Sequence, residues 1–467
     1  MWARFVHYRP LSENMQGQAL ALTEPPPNLS LATPSTPWSV IWRMLGMVML
    51  IFTIANIVTF IAYGIIVNEA SLSVLSTICL APLLLIYMMV RRPKLTHVLL
   101  ATPSYEGNTK HMIDQKRMLS TPMPTKFEHH LIRDSPPLEM PKTYKLWALF
   151  ILTIIIGAIG LAPMAFSDDP RWVVLALLIG IPAWLLGFSL PVHGWWAFST
   201  RHLGLITTKR DGELMLVTGM LSTIPALLIN SIAFPTVLKT IGIENFDSGS
   251  IGELLILAIS APVGEEICKA LFVLSLYRII DSPRRGFQVG FTVGLGFALL
   301  ENLQYILFSL LGEGAFLSYS ITSVIRGIGS IPGHAFWTGL SGVAIGWHLS
   351  KNKTRIKTQD DTSWVVIHSE SGDIIQQQSN EFSKIKQWLN KPLEQTWTLP
   401  QKPIAGLLLA IMGHSFWNGS SWLISSLFAD SSVLIQIIIT LSWLMFLIGG
   451  LWYIGRQVLA SVLHLPS

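Results

Sequence analysis

Charge is scarce in this chain. Only 13% of its 467 residues are Asp, Glu, Lys or Arg, against about 25% in soluble domains. That shortage, with 51% hydrophobic residues, excludes an ordinary soluble globule. Cysteine is nearly absent as well. The two present, Cys79 and Cys268, both fall inside apolar runs, which excludes a disulfide framework or a Cys-based zinc knuckle. There is no H-E-x-x-H, so the usual sequence warrant for a helical zinc protease is missing. No serine or cysteine stands in a recognisable triad context. Residues 1–38 are a polar, Pro-rich tail and do not read as a cleavable signal peptide.

What is abundant is long apolar runs, each sufficient to cross a hydrocarbon core of ~30 Å. Ten predicted spans cover roughly 39–67, 72–90, 146–166, 172–192, 214–237, 251–277, 287–311, 320–349, 403–427 and 431–455. The expected fold class is therefore all-α: a polytopic membrane bundle of about ten transmembrane helices with a small cytoplasmic insert. With both termini cytoplasmic, 28 of the 32 Lys and Arg fall at inner ends, tails and loops. Arg171 and Lys239 lie outside, and Lys269 and Arg326 lie within spans. This asymmetry fixes span number and orientation by the positive-inside rule, in the cell membrane. It also accounts for the positive excess without nucleic acid; the partners implied are membrane lipids and other membrane proteins.

The chain divides into the tail 1–38, five leading spans over 39–250, a motif-bearing core over 251–427, and a last span with its tail over 428–467. No chemistry is assigned to the first five spans. Trp195 and Trp196, after span four, read as interfacial anchors. The basic loop 91–145 shows no core pattern and reads as disordered or lying on anionic headgroups. In the insert 351–402, residues 364–375 read as a small hairpin, and Phe382, Ile385, Trp388 and Leu389 as one apolar helical face. The insert is taken as a linker with an interfacial helix.

Against this apolar background the polar residues of spans six to nine stand out. Span six carries Ala261-Pro262-Val263-Gly264-Glu265-Glu266-Ile267-Cys268-Lys269. Each charge placed centrally in a span costs about 2.5–3.5 kcal/mol on insertion scales, so three within five residues imply use. Span seven carries Gly296-Phe297-Ala298-Leu299-Leu300-Glu301-Asn302. Span eight holds Arg326, Pro332 and Gly333-His334-Ala335-Phe336-Trp337-Thr338-Gly339, and span nine repeats the last motif as Gly413-His414-Ser415-Phe416-Trp417-Asn418-Gly419.

Depth joins these motifs. At a helix rise of ~1.5 Å per residue, Glu266, Glu301, His334 and His414 lie about 18, 22, 25 and 18 Å from the inner ends of their spans. Four polar groups on four consecutive helices share one slab, and polar groups so placed face a common interior rather than lipid. Glu265 and Glu266 lie four and three residues before Lys269, so the lysine can neutralise one of them. Pro262 and Pro332 loosen the helix beside the site and can admit water.

Paired carboxylates with two histidines point to water activation: one carboxylate as general base, the other and Lys269 tuning it. A histidine with Asn302 or Asn418 could donate to a developing oxyanion. The same residue types could instead hold a zinc ion through His334, His414 and Glu301. The residues leave both versions open. For Arg326 a structural role is favoured. A proton-coupled carrier would use similar groups, but would carry an inverted repeat of each half; only the short G-H-x-F-W match is present. A non-catalytic binder of membrane proteins is disfavoured by the complete polar set.

Taken in order, Glu265-Glu266-x-x-Lys269, the Phe297 to Asn302 motif and the His334 and His414 motifs resemble the PrsW family of bacterial intramembrane proteases, related to the CAAX-prenyl endopeptidases. The resemblance covers roughly 251–427. It implies an intramembrane endopeptidase in which Glu265 and Glu266 are essential and Glu301, His334 and His414 complete the site. It also implies a membrane-protein substrate, an anti-sigma factor in the best-known case.

Overall fold

The computed structural model describes residues 4–5, 20–21, 37–90, 96–112, 115–132, 137–165, 170–311, 314–351, 365–368, 370 and 396–466. Among these residues there are ten helical stretches at the ten expected places: α1 (Pro37–Ile66), α2 (Ala70–Val90), α3 (Thr143–Leu161), α4 (Pro170–Leu203), α5 (Lys209–Thr240), α6, α7 (Pro283–Ser309), α8, α9 (Pro403–Leu427) and α10 (Val433–Leu463). Two are composite. α6 joins Ile251–Leu255 to Ala261–Ser275 through a π-turn at Ile256–Ser260. α8 joins Ala315–Ile325 to Ile331–Ser350 through a π-turn at Arg326–Ser330. α5 contains a third, at Ile229–Ala233.

Helix starts follow local chemistry. Thr208, Ser250 and Ser282 each accept a hydrogen bond from the backbone N–H three residues on, capping α5, α6 and α7. Pro283 then opens α7, where a missing N–H costs nothing.

Among the described residues, seven helices are long and apolar enough to cross a membrane by length and composition. The three that fall outside this set, α6, α8 and α9, carry three of the four polar motifs, and α7 carries the fourth. The chain is a multi-pass membrane protein with an all-α core. α7 is its central helix: 72% of its most apolar window is buried, against 50% or less in the other six. It packs on α4, α5 and α8. Glycine makes the approach possible on two sides. A Cβ at Gly294 would strike the His334 carbonyl oxygen on α8, and one at Gly296 would strike the Leu216 carbonyl oxygen on α5. Small residues at such crossings let backbones touch. They bring the His334 backbone directly against α7, two turns before Glu301 on the same helix.

Two expectations need correction. Trp195 and Trp196 are not interfacial: α4 continues to Leu203, and both indoles are buried in the core, at 7% and 1% exposure. The 91–145 loop is not unstructured over 96–132. Strands β3 (Thr96–Met112) and β4 (Arg117–Ile132) form a long antiparallel hairpin. The two-residue strands β1 (Arg4–Phe5) and β2 (Leu20–Ala21) pair parallel with β3, and β5 (Val365–His368) pairs antiparallel with Arg117–Ser120 of β4. Prolines hid this sheet from the sequence. Pro103 sits where the β3–β4 register shifts, a place that tolerates a residue lacking an N–H. The expected partner of β5 around residues 373–375 and the helical face from Phe382 to Leu389 lie outside the described residues.

Candidate active site

The three π-turns share one sequence rule. Each is followed by a proline at the second position of the next helical segment: Pro235, Pro262 and Pro332. A proline ring inside a helix clashes with the carbonyl four residues back and offers no N–H to it. Widening the turn relieves the clash and frees carbonyls, which neighbouring side chains then satisfy. Trp452 Nε1 donates to Ile328 O at 2.9 Å and Trp195 Nε1 to Gly327 O at 3.0 Å. Asn418 Nδ2 donates to Leu257 O at 3.1 Å. The widened turns also re-aim side chains: Asn230, Ser260 and Arg326 all come from them and all reach the site.

The candidate residues from α6, α7, α8 and α9 converge. Lys269 Nζ lies 2.8 Å from Glu266 Oε1, 3.3 Å from Glu265 Oε2 and 2.8 Å from His334 Nδ1, and 3.8 Å above the centre of the Phe297 ring. His334 Nε2 approaches Glu301 Oε2 at 2.8 Å. That approach has ion-pair distance but poor hydrogen-bond direction, because Oε2 is buried without an aligned donor. Arg326 Nη1 meets Glu301 Oε2 at 3.4 Å, with its guanidinium 3.4 Å over the Tyr305 ring. His414 Nδ1 reaches Glu266 Oε1 at 3.1 Å and stands 4.0 Å from Glu265 Oε2. The His414 ring stacks on Trp337, centroids 4.7 Å apart and planes 14° apart, and meets the His334 ring edge-on at 5.0 Å. A string of alternating charge and imidazole thus runs from Arg326 through Glu301, His334, Lys269 and Glu266 to His414.

The two adjacent glutamates occupy different surroundings. Glu266 is fully buried and held by Lys269, His414 and Thr338, whose hydroxyl donates to Oε2 at 3.3 Å. Glu265, 8% exposed, accepts from Asn230 Nδ2 at 3.3 Å and lines a cavity of about 510 Å³. Glu301, Tyr305, Arg326, His334, Trp337, His414 and Asn418 line the same cavity, whereas Glu266, Lys269 and Asn302 stand behind its wall.

The asparagines read as oxyanion donors are engaged elsewhere. Asn302, fully buried, donates to Ala298 O at 2.6 Å and accepts from Arg326 at 3.3 Å. Asn418 faces the cavity, with one amide hydrogen given to Leu257. Sequence reasoning missed Asn230, which brings α5 into the site, and gave Arg326 only a structural role. The available signal was a polar residue within five or six positions before an intramembrane proline.

Glu265, His334 and His414 offer one donor atom each, all within 4.8 Å of one another, and could hold a metal ion. The carboxylate of this group is Glu265, in place of the expected Glu301. The residue types fit a metal. The bonds around His334 do not. A metal-bound histidine normally donates its second ring N–H to an acceptor. Here the second nitrogen, Nδ1, faces the ammonium of Lys269, a donor. The proton is thereby placed on Nε2, where an ion would need a lone pair.

Residues 213–367 match the model of a family described as PrsW family intramembrane metalloprotease. No curated protein and no solved structure is similar enough to match. The matched stretch takes in Glu265, Glu266, Lys269, Glu301, Arg326 and His334, and His414 lies beyond it. Over this segment, about a third of the chain, the protein is similar to the PrsW family.

Proposed function

We propose that this protein is an intramembrane endopeptidase that hydrolyses a peptide bond of a membrane-protein substrate, with Glu265 as general base. The observation that carries this is the split between the adjacent glutamates: Glu265 faces the cavity, while Glu266 is sealed behind it with three partners. In this reading Glu265 takes a proton from a cavity water, and the water oxygen attacks the scissile carbonyl carbon. Charge developing on the carbonyl oxygen is met by Arg326. His414 gives its Nδ1–H to Glu266, which leaves an Nε2 lone pair on the cavity side to accept a hydrogen bond from the attacking water. The proton held by Glu265 then passes to the leaving amine as the C–N bond breaks. Glu266, Lys269, Glu301 and Asn302 position these groups, and Asn418 supports the wall. General-base assistance of this kind contributes about 10²–10⁴-fold.

The test is a quantitative comparison of membrane-protein fragments in cells carrying wild type or Glu265→Gln. Fragments present only with wild type are expected, and they identify the substrate. Identical fragment sets would overturn the proposal.

A metal-dependent version of the same hydrolysis is favoured by the donor group Glu265, His334 and His414 and by the family description. A bound ion would supply a more acidic water. The Lys269–His334 contact favours the metal-free version, so purified active protein is expected to carry well under one equivalent of metal and to keep its activity with a chelator. Stoichiometric metal lost together with activity would reverse this choice. The placement of Lys and Arg supports both termini on the cytoplasmic side.

A further inference from the structure

The cavity does not end at the carboxylates. From His414 its lining continues along α9 through Asn418, Ser421 and Ser425 to Ala429, and it ends against Ser248 and Gly249 in the α5–α6 loop. Steps of three and four residues keep these side chains on one helix face. Burial falls steadily along that face: His414 is buried, Asn418 and Ser421 are half-buried, Ser425 is exposed. From His414 to Ser425 the helix rises about 16 Å. These polar side chains line the cavity as it opens outward, so they mark a wet channel to the surface.

The far end of the channel has a side. The loop 241–250 and the turn 428–432 contain no Lys or Arg, while the opposite helix ends carry Arg278, Arg284, Arg285, Lys351 and Lys402. The channel therefore opens on the face away from the basic ends, the outer face by the positive-inside rule. A clasp crosses its mouth. Glu253, on the first turn of α6, accepts from Trp422 Nε1 of α9 at 2.8 Å and from Gly249 N at 2.7 Å through one oxygen.

We infer that this seryl-lined arm is the substrate cleft. An extended peptide segment just outside the substrate's own membrane helix enters from the outer face, and the Glu253–Trp422 clasp must part to admit it. The wall suits backbone rather than charge: it presents hydroxyls, an amide and indoles. Ser421 spends its proton on Trp417 O at 2.7 Å, leaving oxygen lone pairs for an incoming N–H. The assignment of the occupant rests on the endopeptidase reading above; the sidedness and the gate do not.

The experiment uses the full chain in intact cells, in a Cys79→Ala, Cys268→Ala background, with a membrane-impermeant maleimide added outside. Ser425→Cys should be labelled readily and Ser421→Cys more slowly. Ser350→Cys, at the basic end, should be labelled only after permeabilisation. Trp422→Phe should speed labelling of Ser421→Cys by about 2- to 10-fold, the effect of losing one net hydrogen bond, and leave Ser425→Cys unchanged. If Ser421→Cys fails to accumulate, Ser426→Cys, which also lines the channel, takes its place. Labelling of Ser421→Cys only after permeabilisation, or none while Ser425→Cys reacts, would overturn the outer cleft. An unchanged rate with Trp422→Phe would overturn the gate. None of these readouts needs cleavage, so a failed fragment comparison with an outward-open channel would sink only the protease reading.

Discussion

Lys269 Nζ stands 2.8 Å from His334 Nδ1, so a lysine on α6 decides which ring nitrogen of a histidine on α8 carries the proton. The lysine is itself placed by its own helix, through the carboxylates three and four residues before it. A local spacing in the sequence thus sets the tautomer of a residue 65 positions away.

Removing that ammonium leaves buried carboxylates without their cation. Breaking one partner of a buried pair costs about 3–5 kcal/mol. Lys269→Met, which keeps an unbranched side chain, should therefore lower the melting temperature in detergent markedly. Adding Glu266→Gln to it should recover part of the loss, because the charge left unpaired is then gone. A double variant as unstable as the sum of the singles would show that the two do not interact.

Glu265→Gln and Glu266→Gln should separate catalysis from structure. Glu265→Gln keeps an acceptor for Asn230 and should melt close to wild type while cleavage falls by about 10²–10⁴-fold. Glu266→Gln, at a site held by three partners, should lose both stability and activity. Thermal melts beside a cleavage assay check this; equal melting losses in the two variants would remove the distinction.

Pro332 forces the π-turn that aims Arg326. Alanine is about 3 kcal/mol better than proline in a helix interior. Pro332→Ala should leave the protein as stable as wild type or more so, while straightening the turn rotates Arg326 away from Glu301 and Tyr305. Expected is a loss of activity at unchanged or higher melting temperature. Full activity would mean that the widened turn is not needed.

In the sheet, His111 is 5% exposed, with Nε2 2.7 Å from Asn108 O and its ring edge-on to Phe127. Burial pushes its pKa below the ordinary 6.5, partly offset by the Asn108 carbonyl. The fold therefore holds the imidazole neutral, and the unfolded hairpin binds the proton first. Stability should be full above 6.5 and fall as pH drops below that value. Limited proteolysis of the 96–132 hairpin should be faster at about pH 5 than at about pH 7.5, and His111→Phe should flatten the difference. A pH-independent rate in the native protein would contradict this.

The helical bundle was legible because lipid leaves little choice: each apolar run must satisfy its own backbone, and each buried charge must find a partner. Glu265, Glu266, Lys269, Glu301, His334 and His414 announced themselves by that cost alone. Trp195 was misplaced because a tryptophan at a span end looks the same whether it faces headgroups or a freed carbonyl such as Gly327 O. The sheet was missed because the partner of Arg117–Ser120 is Val365–His368, beyond six further spans.

Sequence alone determined which helices exist and that their ionisable groups share one level along the bundle, since these follow from hydropathy and a constant rise per residue. Only the tertiary structure decided which glutamate faces the cavity, which nitrogen of His334 is free of a proton, that Asn230 and Arg326 join the site, and where the cavity opens. Those outcomes depend on rotation about each helix axis, which the π-turns and the glycine crossings of α7 set through contacts between distant segments.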